Sequence, residues 1–470
     1  MKKKFFAKLF SAIMAILFIF ATTACTNNSA SNSDDTDTTP PATEPSDTQK
    51  PDDDKKSENP ETPDHFGENA DFRYLVKGDQ VTIIKWLNET APEVIIPETI
   101  EGKPVTAISG GTFSKCSGKK IEIPDSITYI NYFAFVKCDF EYNEKENLKY
   151  LGNSQNPYLF LIHTTNQNIT TATIDKNCRF IGIEAFSGCR QLVDLKLSNN
   201  LISICGSAFE GCNNIKYNEK NGLKYLGTSD NPYFYLAGTT NTEITAAQID
   251  KNCKIIGAYA FLECDNLADL AIPDGVVSIE TLAFYNCGLQ SISIPGSVTN
   301  IAIGITYGAN KLTTINIAEE NAKYNSIENC IIETATKTMI AGCSGSTIPI
   351  NCNITSFGDW AFYGCDKLTN ITIPDSVTVI GDEAFKDCSN LTSITIPNSL
   401  ISIGMSAFSN CINIKKIYYK GNRSEWNEIS IEAYGNNNVT EVTIYYYSET
   451  QPATIGNFWH YNANGEIEEW

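Results

Sequence analysis

Cysteines at a regular spacing are the first residues of this sequence that could do chemistry. Nine of them end the same short phrase, in which a phenylalanine stands three positions before the thiol: Cys116, Cys138, Cys189, Cys212, Cys264, Cys287, Cys365, Cys388 and Cys411. Thiols can pair as disulfides, bind zinc or act as nucleophiles. The sequence contains neither C-x-x-C nor H-E-x-x-H, so we predict no metal site. We interpret the nine as buried free thiols, because free cysteine is among the most buried residue types.

One other pair of cysteines is a candidate disulfide. Residues 325–345 read as a hairpin that turns near Thr336 and Lys337, and a two-residue turn there would place Cys330 directly opposite Cys343. Because the bond also depends on the redox compartment, two free thiols are the alternative.

The remaining polar residues offer little for catalysis. The three histidines, His65, His163 and His460, have no recognisable catalytic partners, and the sequence contains no G-x-S-x-G elbow and no GxxxxGK phosphate loop. Paired carboxylates such as Glu468 and Glu469 fall in terminal segments, where a solvated surface is the simpler interpretation. We therefore predict a protein that is not an enzyme and needs no cofactor.

The charge of the chain bears on its partners. The 470 residues carry a formal net charge of −20. Binding of nucleic acid needs a clustered Lys/Arg surface, whereas this chain repels polyanions on average, so we expect no nucleic-acid partner.

The N-terminus predicts export. The cationic segment MKKKFFAKLF precedes the run FSAIMAILFIF, which is too short to span a bilayer stably, and small residues then lead to Cys25. Residues 1–24 resemble a bacterial lipoprotein signal, which implies a diacylglycerol on the Cys25 sulfur. Because Thr22 stands where a leucine is usual, cleavage after Ala24 with plain secretion is the alternative. Residues 25–70, rich in Pro, Ser, Thr and Asp, predict a disordered acidic tether.

The period of the cysteine phrase indicates the fold. IGDEAFKDC (380–388) and IGMSAFSNC (403–411) lie 23 residues apart, and most copies are followed by L-x-x-I-x-I-P, as in LTSITIP (391–397). The alternation predicts a short strand with one buried face, which the proline ends. Stacked units would place Ile on Ile, Phe on Phe and Cys on Cys, which is what a solenoid requires.

The phrase I-G-x-x-A-F-x-x-C-x-x-L-x-x-I-x-I-P resembles the BspA-like leucine-rich repeats of bacterial surface proteins, over roughly residues 72–447. We predict a β-rich leucine-rich repeat solenoid over 108–414, with one short parallel strand in each repeat. Hairpin inserts at 142–178, 217–253 and 325–345 would interrupt it, the first two being duplicated modules that match at 25 of 37 positions. An N-terminal β cap with a turn at Gly78-Asp79 would span 71–107, and a C-terminal cap would span 415–470.

Candidate binding residues follow from this arrangement. The residues between buried strand positions would form a small polar face: Asp194, Lys196, Asp269, Ala271, Ser291, Ser293, Thr314, Asn316, Asn370, Thr372, Ser393 and Thr395. Aromatic residues gather instead in the two modules, around Tyr158 and Tyr233, and at the C-terminal end, around Tyr418. They would be core residues or, where exposed, binding anchors.

These features predict an extracellular protein that binds other macromolecules and is held on the cell membrane by its lipid anchor. The resemblance implies adhesion to host matrix proteins or to other cells. We expect a monomer and a protein partner in preference to a glycan, because the central face lacks the aromatic rings on which sugars stack. A glycan-binding surface module and a non-binding envelope spacer are the alternatives.

Overall fold

The computed structural model describes residues 65–113, 116–131, 133–136 and 138–470. The predicted signal segment, Cys25 and most of the predicted tether lie outside the described residues. Within the described part, nearly all regular structure is β-strand, and the two helices are short and lie near the C-terminus.

Nine strands form the N-terminal cap and the first repeats: β1 (His65–Glu68), β2 (Phe72–Lys77), β3 (Gln80–Trp86), β4 (Glu93–Ile95), β5 (Thr99–Ile100), β6 (Lys103–Ile108), β7 (Ser117–Glu122), β8 (Tyr129–Ile130) and β9 (Asp139–Phe140). Strands β2 and β3 form the predicted hairpin, in which Lys77 faces Gln80 across the turn Gly78-Asp79. Gly78 has a φ of +54°, a left-handed conformation that glycine adopts without strain.

The folded part begins earlier than we predicted. We placed the tether up to residue 70, but His65–Glu68 form β1, which pairs antiparallel with β2 and sets Phe66 opposite Leu75. The His65 imidazole lies 3.1 Å from a carboxylate oxygen of Glu101 and thereby ties β1 to the cap. A four-residue segment without aliphatic side chains gives too weak a pattern for a strand to be recognised.

The central strands run through the two long inserts: β10 (Asn143–Lys145), β11 (Leu148–Leu151), β12 (Phe160–Thr164), β13 (Thr171–Thr173), β14 (Phe180–Ile181), β15 (Asp194–Lys196), β16 (Ser203–Ile204), β17 (Asn218–Lys220), β18 (Leu223–Leu226), β19 (Tyr235–Thr239), β20 (Ala246–Gln248), β21 (Ile255–Ile256), β22 (Asp269–Ala271), β23 (Ser278–Ile279), β24 (Ser291–Ile294), β25 (Asn300–Ile301) and β26 (Thr314–Ile317). The remaining elements complete the solenoid and the C-terminal cap: β27 (Tyr324–Ile327), β28 (Cys330–Glu333), β29 (Thr338–Ala341), β30 (Ser356–Phe357), β31 (Asn370–Thr372), β32 (Val379–Ile380), β33 (Ser393–Ile396), β34 (Ser402–Ile403), β35 (Lys416–Tyr419), α1 (Arg423–Glu428), β36 (Ser430–Ile431), α2 (Asn437–Thr440), β37 (Thr443–Tyr447), β38 (Phe458–Tyr461) and β39 (Ile467–Glu469).

Regular repeats contribute two parallel strands, where we predicted one. The I-x-I strands stack in a first ladder, for example β31, β33, β35 and β37. A second ladder consists of two-residue strands such as β32 and β34, which end at Ile380 and Ile403, directly before the glycine of the phrase. Two residues are too few for an alternating pattern, so the sequence gives no periodic signal for this ladder.

The two long inserts are built into the solenoid. Each forms a three-stranded antiparallel meander, β10-β11-β12 in the first and β17-β18-β19 in the second. Strand β12 then pairs in parallel with β14, and β19 pairs in parallel with β21, so both meanders continue the second ladder. This differs from the predicted hairpins added to one side, because the last strand of each insert takes the place of a ladder strand.

The third insert also forms a meander, β27-β28-β29. A bulge between Ile331 and Ile332 shifts its register, so Glu333 faces Thr338 and the turn lies one residue earlier than predicted. Cys330 and Cys343 are both buried free thiols, so the candidate disulfide is not formed in this structure.

Side chains stack in columns along the interior, as predicted. Phe385 lies 5.3 Å from Phe362 and 5.3 Å from Phe408 between ring centroids, and the rings are almost parallel. All nine phrase cysteines are free; eight of them are buried and Cys138 is half-buried. The columns bury the apolar side of each repeat against its neighbours, which a single repeat could not do alone.

The phrase itself forms a turn with two left-handed residues. In the repeat at 380–388 these are Glu383 (φ +53°) and Asp387 (φ +60°), directly before the alanine and before the cysteine. Gly188, Gly211 and Gly364 occupy the second of these positions in other repeats, also with positive φ. The turn lets the chain leave one ladder at Ile380 and enter the other at Ser393.

Candidate functional site

The exposed side of the first ladder, here called the ladder face, carries side chains in straight columns. Parallel register places Asn370, Ser393, Lys416 and Thr443 in one column, and Thr372, Thr395, Tyr418 and Tyr445 in the next. In the middle of the chain, Ser291 faces Thr314 and Ser293 faces Asn316. Because strands in a sheet lie about 4.8 Å apart, each column presents a group at a nearly constant interval.

Most of the predicted ladder residues are accessible. Those with exposed side chains are Asp194, Lys196, Asp269, Ala271, Ser291, Ser293, Asn316 and Asn370. Thr314, Thr372 and Ser393 are half-buried, and the Ser393 hydroxyl donates a hydrogen bond to Asn370 Oδ1 over 2.7 Å. Thr395 is buried, because it stands in register beside the larger Tyr418, and it cannot serve as a contact residue.

A shallow depression of about 500 Å3 lies on the ladder face beside the second insert. Strands β20 and β22 form its floor, and Asn221 at the tip of the β17–β18 hairpin forms one wall. At the equivalent place beside the first insert, Thr171 and Lys196 stand where Ala246 and Ala271 stand here. The smaller alanines leave room for a ligand group next to the predicted residue Asp269.

Tyr158 and Tyr233 are equivalent residues of the two inserts, and neither is a protruding tip. Each ring is half-buried and packs edge-on against a buried tyrosine, at 5.4 Å between centroids in both inserts. A lysine lies over each ring, Lys145 in the first insert and Lys220 in the second. Both lysines also pair with a buried aspartate, so these clusters hold the inserts together.

The C-terminal end of the ladder face is aromatic. Tyr418, Tyr445, Tyr447, Trp459 and Tyr461, here called the aromatic platform, lie on β35, β37 and β38 with ring centroids 5.0–6.3 Å apart between neighbours. Trp459 is fully buried and its indole N–H donates to the carbonyl oxygen of Tyr419. Tyr418 is only 9% exposed and lies beneath the surface, whereas Tyr447 and Tyr461 are each 38% exposed.

A charged network borders the aromatic platform. The Tyr418 hydroxyl donates to Glu469 Oε1 over 2.7 Å, and the Lys416 ammonium pairs with the same oxygen. Burial alone would raise the pKa of Glu469, but hydrogen bonds from Lys416 and Tyr418 lower it below the ordinary value. The hydrogen bond to Glu469 in turn raises the pKa of Lys416, so both groups are charged at neutral pH.

Within the described ranges, no group of three or more His, Cys, Asp or Glu side chains could hold a metal ion. The histidines lie apart: His163 packs edge-on against Tyr142, and His460 stacks on Trp470 at 3.7 Å. No helix in the same part of the chain is both long enough and apolar enough to cross a membrane.

Comparison with known families identifies the repeats. The sequence matches the family described as "BspA type Leucine rich repeat region (6 copies)" over residues 92–156, 156–230, 239–339 and 336–456. The chain belongs to this BspA-type leucine-rich repeat family. No curated protein matches the sequence.

Several solved structures are similar to this BspA-type chain. A leucine rich cell surface protein from Faecalibacterium prausnitzii shares 22% identity, with 79% of this chain and 99% of that one covered and a TM-score of 0.28. The pneumococcal vaccine antigen PcpA shares 14% identity, with 82% and 94% covered and a TM-score of 0.36. A leucine-rich repeat protein from Bacteroides ovatus shares 19% identity, with 81% and 99% covered and a TM-score of 0.30.

Proposed function

We propose that this chain is a surface-displayed binding protein whose ladder face contacts another macromolecule, with host matrix proteins or the surface of another cell as its partners. The ladder face supports the proposal most directly, since small polar side chains stand in register on successive segments of the ladder, from β13 and β15 through β24 and β26 to β31 and β33. A standard protein interface buries about 800 Å2 on each partner and therefore needs several adjacent repeats. A rigid array of repeats supplies such an area without ordering a loop on binding.

The N-terminal sequence supports display outside the cell. The export signal, the cysteine at its end and the acidic tether together favour a lipid-anchored protein, with secretion after cleavage at Ala24 as the alternative. One of the similar proteins is itself described as a cell surface protein. Membership of the BspA-type family favours a binding role over an enzymatic one.

The test measures binding of the mature chain to a panel of purified extracellular matrix proteins and to whole neighbouring cells. Ala271→Arg and Asn316→Arg each place a long cation at an exposed position of the ladder face. We expect either change to weaken a ladder-face complex about tenfold or more, because it blocks close approach. Ile412→Arg is the matched control, since Ile412 is 74% exposed and lies outside the ladder strands.

Two results would contradict this function. Wild-type protein that binds no matrix protein and no cell surface would instead favour a passive spacer. Binding that all three arginine variants retain in full would place the contact away from the ladder face.

A further inference from the structure

We infer that the aromatic platform is a second binding site, which takes a neutral polysaccharide chain. This inference does not rest on the protein-binding function proposed above, because it concerns different residues and a different class of ligand. The central ladder face has no aromatic rings, yet the same face continues in register onto β35, β37 and β38, where rings replace the small polar groups.

The platform has the composition that sugar rings require. A pyranose presents an apolar face of C–H groups, which packs on an aromatic ring, and a rim of hydroxyls, which needs hydrogen-bonding partners. Tyr447 and Tyr461 supply exposed rings, and both pack edge-on against Trp459, at 5.2 and 5.0 Å between ring centroids. Because Trp459 is fully buried, it holds the two tyrosines in place before a ligand arrives.

Fixed polar groups lie at the edge of the rings. The Glu469 carboxylate is held by Lys416, Tyr418 and Tyr445, and its side chain remains 32% exposed. The Lys416 side chain is 42% exposed and lies over the Tyr445 ring, with its ammonium 5.3 Å from the ring centroid. With three donors in place, the carboxylate can still accept from one sugar hydroxyl, and the Lys416 ammonium can donate to another, which would together fix the orientation of a sugar unit.

Charge decides which glycans fit. Lys416 pairs with Glu469, and Lys420, whose ammonium lies 5.9 Å from the centroid of the Tyr461 ring, pairs with Asp375. Both cations beside the platform are therefore already neutralised and attract a sulfated or uronic-acid chain only weakly. The chain as a whole carries a net charge of −20, which repels polyanions. A neutral hexose polymer meets neither obstacle, and it could contact both exposed rings, Tyr447 and Tyr461, whose centroids lie 6.3 Å apart.

The test is retardation of the mature protein in native gels that contain one polysaccharide each: mannan, a mixed-linkage β-glucan, hydroxyethyl cellulose, glycogen, hyaluronan or heparin. We expect retardation by at least one of the four neutral polymers and by neither polyanion. Titration of tryptophan fluorescence with hexasaccharides of the retarding polymer then gives the affinity, since Trp459 lies directly beneath the proposed site.

Matched variants distinguish the loss of binding contacts from the loss of the folded structure. Tyr447→Ala and Tyr461→Ala should each weaken binding at least tenfold, whereas Tyr447→Phe should retain most of it because the ring remains. Tyr217→Ala is the control, since Tyr217 is 37% exposed and lies outside the platform. Thermal melting of every variant shows whether the fold is kept.

Three outcomes would overturn the inference. The first is no retardation by any neutral polymer, and the second is retardation by heparin or hyaluronan alone. The third is a double variant, Tyr447→Ala with Tyr461→Ala, that a neutral polymer retards as much as the wild-type protein. A decaproline peptide provides a further check, because extended proline-rich segments also dock on aromatic surfaces. Binding of that peptide without binding of any glycan would assign the platform to a protein partner. Failure here leaves the ladder-face experiment unaffected, since that test uses other residues and protein probes.

Discussion

At the scale of single residues, the repeated cysteine has a specific role in joining neighbouring repeats. The thiol of Cys388 donates a hydrogen bond to the carbonyl oxygen of Phe362, and Cys411 donates in the same way to Phe385, at 3.2 and 3.0 Å. Cys212 repeats the contact with Phe186. Burial raises the pKa of Cys212 to about 12, so this thiol stays neutral at physiological pH. The phrase therefore keeps a small apolar side chain that can still satisfy a buried carbonyl.

Phe385→Ala and Cys388→Asp should both destabilise the C-terminal repeats. The first removes the middle ring of a stacked column and should lower the free energy of unfolding by about 3–5 kcal/mol. The second forces a carboxyl group into a buried site, at a cost of several kcal/mol. Urea unfolding measures both changes, and a thiol reagent that labels most phrase cysteines rapidly in the folded protein would contradict the packing described here.

Asp382 should make stability depend on pH in an unusual direction. Partial desolvation of the carboxylate and then repulsion from Asp359 raise the pKa of Asp382 to about 6, although the residue as a whole is exposed. Because the folded state holds this proton more tightly than the unfolded state, the carboxyl group favours folding at low pH and opposes it as pH rises through 6. Its Oδ1 accepts from the Met405 backbone N–H over 2.7 Å, and an asparagine could still do so.

We therefore expect Asp382→Asn to melt at a higher temperature than wild type at pH 7.5, and the difference to shrink as the pH falls below 6. The two proteins share all their other titratable groups, so the difference between their melting temperatures at each pH reports the contribution of Asp382 alone. A difference that stays constant from pH 4.5 to 7.5 would contradict the raised pKa.

At the scale of elements, backbone geometry limits which residues suit the turn of each repeat. Left-handed conformations recur before the cysteine, and glycine fills this position in some repeats and larger residues in others. A non-glycine residue in this conformation costs about 1–2 kcal/mol. The fold therefore tolerates some strain at these turns, which the stacked columns offset.

Glu263→Gly should be neutral or stabilising by up to about 1 kcal/mol, because it relieves a φ of +55° but adds flexibility to the unfolded chain. Gly211→Ala is the opposite change at the equivalent position, where φ is +77° and an added Cβ would make only ordinary contacts. It should cost about 1 kcal/mol. Chemical denaturation of both variants tests the pair, and a destabilised Glu263→Gly variant would show that its side chain matters more than its backbone.

The elements also show how far the sequence could predict the structure. The I-x-I strands, the Gly78-Asp79 turn and the phenylalanine column follow from alternation, turn chemistry and period. The second ladder could not be predicted, because strands such as β32 and β34 hold two residues each. Alternation alone predicts Thr395 as a contact residue, yet the Tyr418 ring of the next repeat covers it. The sequence leaves Tyr418 open as a core residue or a binding anchor, and at 9% exposure it is a core residue. Side-chain size in the adjacent repeat decides exposure, and that information appears only once the register is known.

At the scale of the whole molecule, the predicted anchor and the aromatic platform belong to different ends of the chain. The predicted lipid site is Cys25, whereas the aromatic platform lies between residues 418 and 461. We expect Cys25→Ala to move the protein from the membrane fraction to the culture medium, because a stable membrane attachment of this kind needs its acyl chains. Native protein found wholly in the medium would favour plain secretion. Fractionation and immunoblotting distinguish the two results.

The parallel ladders have a mechanical consequence for a protein fixed at one end and loaded at the other. Their hydrogen bonds run from repeat to repeat, so a pulling force between the N-terminus and the C-terminal strands acts on these bonds in series and opens them one repeat at a time. Each released repeat of 23 residues adds roughly 75 Å of extended chain. Single-molecule pulling should therefore give a series of small, similar steps. A cell held through such proteins would be restrained by an extensible link that dissipates a sudden load before the attachment fails.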